Sequence, residues 1–160
     1  MGNQELIAKA KSQAAILYTA HSLAFALRIW AKSEGWFGTN KWIENWQDGL
    51  RHDVNDLLKD IADYLGEVPS VPSVPEIICR AADLPDCYRQ IEAAMREAQM
   101  GWSEFALMSE KAGQMDIAEL CDHPMKDLRE DIKKLVRFNR YLKRAAGDTA
   151  ALIAFDKARK

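Results

Sequence analysis

Cysteine is scarce in this sequence: only Cys79, Cys87 and Cys121 occur, and no pair of them has Cys-x-x-Cys spacing. An odd set without that spacing argues against a disulfide framework and a thiolate zinc site, and it indicates reduced thiols in a cytosol. Residues 1–13 contain no apolar signal core, and the apolar run at 20–31 is too short and too interrupted by polar residues to span a bilayer. We therefore expect a soluble, cytoplasmic protein with no membrane partner.

A strong excess of charge of either sign is absent too. The 22 basic and 24 acidic side chains give a net charge of -2 and a pI near 5.9. This balance argues against a globally basic nucleic-acid binder, although a local basic arm can still contact phosphate. The 160 residues, 48% of them hydrophobic, predict one globular domain over residues 1–160.

Apolar residues recur at three- and four-residue steps, which is the spacing of amphipathic helices. The pattern predicts helices at about 4–33, 41–65, 76–82, 86–112 and 116–146, the last with a kink or restart near Pro124, followed by a weakly helical basic tail at 148–160. The first helix is apolar on more than one side, so we expect a subunit neighbour to cover part of it.

The connection between the second and third long helices is long, and proline recurs in it at every third residue, at Pro69, Pro72 and Pro75. This spacing predicts a stiff extended crossover, with a ligand for a proline-reading domain as the alternative. Four long helices joined in this way predict an all-α bundle with a long central crossover that carries a short helix. Ferritin-like bundles fit this order first and cytokine-type bundles second, and the cytosolic interpretation disfavours the second.

Ionisable residues follow steps of three or four along the second helix and form one continuous file. Two interpretations are open: a solvated face, or a face toward a partner subunit that holds metal. His52 and Asp56, four residues apart, could chelate a metal or form a simple surface pair. His21 is expected to be a core histidine, and His123 receives no catalytic role. The members of the file are Glu44, Asp48, His52, Asp56, Lys59 and Asp63.

Two stretches resemble Dps-type mini-ferritins. The run DLLKDIADYLGEVPSVPSVPEI at 56–77 is similar to the close of that family's second helix, and residues 110–144 are similar to its last helix. The short helix expected at 76–82 falls where the family carries a small connector helix, and the similarity covers about residues 14–144. The resemblance implies a hollow spherical dodecamer that oxidises ferrous iron between two-fold-related subunits, stores it as a ferric core and often shields DNA.

The family's iron ligands are only partly kept. Matching Trp30 to the family's tryptophan puts Ile29 at one ligand histidine and Glu44 at the other, while Lys59 and Asp63 fall on the carboxylate pair. An ammonium group beside the site repels the cation and neutralises the acids, so we expect the usual oxidation site to be lost. The remaining candidate metal ligands are Glu44, His52, Asp56 and Asp63, with Trp30, Asp48 and Lys59 beside them. We expect Lys59 to bridge to Asp56 or Asp63, or to Glu44 across the subunit interface.

The alternative metal site of ferritin-like bundles needs Glu-x-x-His on two helices, and the sequence contains no Glu-x-x-His. The resemblance further implies that Asp116 and Glu119 line entry pores, where a ring of carboxylates concentrates cations.

Three functions remain open. The first is a homo-oligomeric cage that binds and stores iron, and the second is a structural or DNA-associated cage that has lost iron oxidation. In the second, non-specific DNA is held through charge alone. The third is a monomeric helical interaction protein. The DNA contacts would be Lys9, Lys11, Lys157, Arg159 and Lys160.

Overall fold

The computed structural model describes residues 2–67, 70–71, 73, 76–77 and 80–159 of the chain. These residues form helices and contain no strand, so the prediction of an all-α protein is confirmed. Pro69, Pro72 and Pro75, where the sequence predicts an extended crossover, lie outside the described residues. The helices are α1 (Asn3–Ser33), α2 (Phe37–Leu65), α3 (Leu84–Lys111), α4 (Met115–Leu120), α5 (Asp122–Arg144) and α6 (Thr149–Lys157).

The four long helices α1, α2, α3 and α5 make a bundle. α1 packs against both α2 and α3, and α3 packs against α5. The fourth seam is looser, because α2 and α5 are not among the closely packed helix pairs of the described residues, whereas α2 contacts the short helices α4 and α6. This seam between α2 and the α4–α5 segment contains the cavity described below.

The core is built from small residues on α1 against larger residues on its neighbours. Five alanines of α1 are almost completely buried, and they let the backbones of the flanking helices come close. Large side chains from α2 and α3, such as Ile43, Ile61, Tyr88 and Phe105, are fully buried in the same core. The alanines are Ala10, Ala14, Ala20, Ala24 and Ala31.

α2 begins at Phe37, four residues before the start that the periodicity predicts, because its first turn is capped from the far end of the chain. The carboxylate of Asp156 in α6 accepts hydrogen bonds from the backbone N–H groups of Gly38 (3.2 Å) and Thr39 (2.7 Å). A Cβ on Gly38 would lie 1.8 Å from the carbonyl oxygen of Asp156, so only glycine fits here. At the other end Gly66 adopts φ 70°, the left-handed cap that the sequence predicts.

The predicted basic tail is in fact the helix α6, and it is anchored by an aromatic cluster. Phe155 is buried, with its ring centroid 5.2 Å from that of Tyr88 and 5.3 Å from that of Phe138, both edge-on. The guanidinium carbon of Arg159 lies 4.2 Å from the centroid of the Phe138 ring and 4.4 Å from that of Phe155. α6 is therefore part of the packed domain.

α3 begins at Leu84 because Asp83 caps it. The Asp83 carboxylate accepts a hydrogen bond from the backbone N–H of Asp86 at 2.8 Å, and Pro85 occupies the first turn. These residues open α3 rather than close a helix at 76–82. Residues 76–77 and 80–82 are not helical, which corrects the expected continuous connector helix, and residues 78–79 lie outside the described residues.

The last helix is interrupted, as Pro124 predicts, but the break falls at Cys121, where α4 ends and α5 begins. Pro124 occupies the first turn of α5, where its missing N–H costs nothing.

α1 is long and apolar enough to cross a membrane by length and composition, a test that core helices of soluble proteins also pass.

Candidate functional site

The polar file of α2 lies on the side of the helix that faces away from the core. Asp48, His52, Asp56, Lys59 and Asp63 are all exposed. In the single chain, the solvated-face interpretation of this file is the one that fits.

Glu44, at the start of the file, is held by two cations. Its carboxylate lies 3.4 Å from the Arg28 guanidinium and 3.7 Å from the Lys41 ammonium. Arg28 also donates hydrogen bonds to Gln47 (2.7 Å) and Asn40 (3.2 Å), which fixes its position between α1 and α2. Both cations offset the charge of Glu44 within the single chain, and its assignment as a metal ligand at a subunit interface stays a prediction.

The other candidate ligands do not converge either. Within the described residues of the single chain no group of three or more His, Cys, Asp or Glu side chains could hold a metal ion. The predicted set of Glu44, His52, Asp56 and Asp63 at a subunit interface stays a prediction. Asp48 pairs with Arg51 at 3.7 Å. The ion pairs of the described residues do not include one between Lys59 and Asp56 or Asp63, and the alternative bridge to Glu44 across a subunit interface stays a prediction.

The bundle interior offers no replacement. Among the buried side chains of the described residues Asp156 is the sole carboxylate, and it caps α2. Gln13, the buried polar residue of α1, donates to the carbonyl of Ala98 at 3.0 Å. A di-metal centre of ferritin-like bundles requires glutamates on facing helices and Glu-x-x-His pairs, so the described core has no such centre.

Trp30 and His21 lie on α1 at the edge of the packed core. Trp30 is partly buried and packs against the core. His21 is half-buried, and burial lowers its pKa, with the charge of Arg51 lowering it further and Asp48 opposing them. A neutral imidazole at the edge of the core agrees with the prediction of a structural histidine.

The basic residues named as DNA contacts are only partly available. Lys9 forms an ion pair with a glutamate of α3, and Arg159 is packed on the aromatic cluster. Lys11 and Lys157 are exposed. Lys160 lies outside the described residues.

A cavity of about 260 Å³ opens at the loose seam between α2 and the α4–α5 segment. Acidic side chains of α2, Asp53, Asp56 and Asp60, lie along one side of it, and Glu119 and His123 lie across from them. Only Asp56 and Glu119 belong to the residues predicted as functional. Asp53 and Asp60 sit beside the polar file, and their position toward α5 depends on how the helices pack, which the periodicity does not give.

The carboxyl groups of this cavity are electrostatically perturbed. Burial raises the pKa of Asp53 to about 6, the charges of Asp127 and Asp56 add to this rise, and His123 opposes it. Burial also raises the pKa of Asp60, again with the help of Asp56. Acids crowded in this way gain from a cation placed near them.

Asp116 and Glu119, the expected pore residues, are both exposed on α4. Glu119 additionally lines the cavity. Their role at a pore depends on neighbouring subunits and stays a prediction.

No protein-family model matches the sequence, and no curated protein matches it either. Solved structures, in contrast, match over nearly the whole chain. An open-pore ferritin from the hyperthermophilic archaeon Archaeoglobus fulgidus superposes with a TM-score of 0.89 at 12% identity, covering 97% of this chain and 95% of that one. The fold is that of the ferritins.

Two further matches agree with this fold. A closed form of the Archaeoglobus fulgidus ferritin, engineered by mutagenesis, gives a TM-score of 0.88 at 15% identity and covers 99% of this chain and 96% of that one. A variant of PmFTN, soaked in iron, gives 0.89 at 13% identity over 97% and 98% of the two chains. Identities this low establish a shared ferritin fold and leave the chemistry to the residues of this chain.

Proposed function

We propose that this chain is the subunit of a hollow homo-oligomeric cage that binds and stores iron. The observation that carries the proposal is the ferritin fold, which extends over 97% of the chain. One of the similar structures is a ferritin variant soaked in iron, and that agrees with iron as the cargo.

Assembly is supported by the surface of α1. Only 33% of an 18-residue stretch of α1 with high mean hydropathy is buried in the single chain. Phe25 and Ile29 are 55% and 57% exposed, although both are large and apolar. Exposed apolar surface of this kind marks subunit contacts, so a second subunit on α1 explains why the helix is apolar on more than one side.

Iron handling would differ from oxidation at a bundle-centred site. The described core lacks the carboxylates and histidines that hold two metals, whereas carboxylates collect on the outer face of α2 and on α4. A field of exposed acids draws cations without binding any single one tightly. We therefore propose storage that relies on attraction of iron to acidic surfaces, with slow oxidation.

The Dps-type arrangement with twelve subunits is a narrower form of this proposal. It draws on the resemblance of residues 56–77 and 110–144, while the helix α6 and the non-helical residues 76–77 and 80–82 are features the resemblance does not supply. Twelve subunits of 18.1 kDa predict an assembly of about 217 kDa (12 × 18.1) in light scattering.

A DNA-associated cage is the alternative function, and it retains the exposed Lys11 and Lys157 as phosphate contacts. Binding through so few cations predicts a weak gel shift that disappears between about 50 and 200 mM salt. A shift present at about 50 mM salt and lost at about 200 mM would favour this alternative over storage alone, and no shift at the lower salt would count against it.

One experiment tests the main proposal. Ferrous iron is added anaerobically to the purified protein, oxygen is admitted, and the oxidation rate, the iron retained per assembly and the assembly mass are recorded together. We expect a large assembly that retains iron while oxidising it little faster than buffer does. A stable 18.1 kDa monomer, or an assembly that retains no iron after desalting, would refute the cage proposal.

A further inference from the structure

The cavity at the α2/α4–α5 seam combines an acidic side with an apolar interior. Apolar side chains from α2, α3 and α4 form its floor and walls, among them Leu57, Trp102, Phe105 and Ile117. A pocket of this composition suits a ligand with an apolar body and a cationic end.

A metal ion does not fit the acids. Asp53 and Asp60 are seven residues apart on one helix, which places their backbones about 10 Å apart along the axis at 1.5 Å per residue. Metal ligands must meet within about 2.0–2.6 Å of one point. The described residues accordingly contain no group of side chains that could hold a metal. An ammonium group needs hydrogen-bond distance to only one carboxylate, so it can pair with Asp53 or Asp60 while the other acid adds to the negative field.

The wall also contains an unsatisfied donor. Trp102 is 3% exposed, and its indole N–H has no hydrogen-bond partner among the described residues. This N–H is itself inaccessible to a water-sized probe, so Trp102 contributes buried surface to the wall and no donor to the cavity.

The size of the cavity limits that occupant. An apolar cavity of about 150 Å³ is enough to bind benzene. The 260 Å³ measured here therefore takes one ring with a short side chain. An aromatic ring would lie against Trp102 and Phe105, and its side chain would reach the acidic rim.

We propose that this cavity binds a small organic amine, with an aromatic or compact apolar body among Leu57, Trp102, Phe105 and Ile117 and its ammonium group at Asp53 and Asp60. The inference goes beyond iron storage and does not depend on it, because the cavity lies within one subunit. Loss of iron retention would leave it untouched.

The test uses the intact assembled protein and the probe 2-phenylethylamine, titrated by calorimetry at pH 7.5. We expect saturable binding of one amine per subunit, while the uncharged isostere 2-phenylethanol binds at least about tenfold more weakly because it lacks the charge. Asp53→Asn should weaken amine binding about fivefold to tenfold, since one of the facing charges is lost. The matched control Asp63→Asn removes the same charge from the same helix outside the cavity and should stay within about twofold.

A steric variant separates the cavity from the general negative field. Leu120 lines the cavity and is 37% exposed, so Leu120→Trp can occupy the mouth without disturbing the core. It should abolish amine binding with every acid still present. Equal binding of the alcohol and the amine, equal effects of the two Asp→Asn changes, or displacement of the amine by equimolar Mn²⁺ would each overturn the assignment. So would the absence of binding at millimolar amine.

Discussion

The capping of α2 by a residue of α6 gives the sharpest test of the fold. Asp156→Ala removes an acceptor that is 6% exposed and bonds two backbone N–H groups, of Gly38 and Thr39. Hydrogen bonds to a charged group contribute about 1.5–3 kcal/mol each, and loss of a helix cap costs about 0.5–2 kcal/mol. Because water can reach part of the vacated site, we expect a loss of about 3 kcal/mol in the free energy of unfolding, less than the sum of two full bonds.

Thermal unfolding followed by circular dichroism measures this loss. For a domain of this size, about 3 kcal/mol corresponds to a fall of about 6–12 °C in Tm. All variants are compared at one subunit concentration, since assembly stabilises the folded state by mass action. Asp156→Asn keeps an acceptor of the same shape and should lose roughly half as much, because the charge is gone.

The matched control is Asp148→Ala at the start of α6. Asp148 caps its own helix through the N–H of Ala151 at 3.1 Å, but this site is exposed. Its loss should cost about 1 kcal/mol. The prediction would be refuted if the Tm of Asp156→Ala lay within 2 °C of the wild-type value, or if Asp156→Ala lowered the free energy of unfolding by less than Asp148→Ala does. Either result would mean that the long-range cap does not stabilise the fold.

Three other outcomes are expected. Asp53→Asn should raise the free energy of unfolding by about 1–2 kcal/mol above pH 6 and by little below pH 4, because the Asp53 carboxyl, whose pKa is raised to about 6, is charged only at the higher pH. Urea titrations of this variant and of the exposed control Asp63→Asn measure the gain, and an equal gain at both pH values would contradict the prediction. Gly38→Ala should cost about 2 kcal/mol or more in the same assay, because its Cβ meets the backbone of α6; an unchanged midpoint would contradict the close packing. Neutralising Asp116 and Glu119 together should slow iron uptake by the assembly in stopped-flow absorbance, and an unchanged rate would count against a pore role.

The positions of the helices follow from the spacing of apolar residues and from the residues that end helices. Apolar residues spaced three and four positions apart mark α1, α2 and α3. Gly66 ends α2 because glycine adopts the left-handed cap conformation without steric cost. The start of α2 cannot be read locally, since its capping carboxylate lies 117 residues further along the chain. The order of α6 escapes prediction for a related reason, because its stability comes from the aromatic rings of Tyr88 and Phe138 on other helices.

The site is harder to predict than the fold. The number of family iron ligands kept in the sequence already predicts that the oxidation site is lost, but it leaves Glu44 as a candidate ligand. The structure places Arg28, on a different helix, against Glu44. The cavity acids Asp53 and Asp60 look like ordinary surface residues until α5 is placed beside them. In each case the missing information is a contact between helices, which a pattern along one helix does not contain.

The apolar filling of the bundle bears on whether the subunit needs metal in order to fold. A bundle that keeps several carboxylates inside must hold like charges together whenever metal is scarce, and its folding is then tied to metal supply. Here Asp156 is the sole carboxylate among the buried side chains of the described residues, and backbone N–H groups satisfy it. Under the proposed storage function, we therefore expect the subunit to fold completely before any iron is bound.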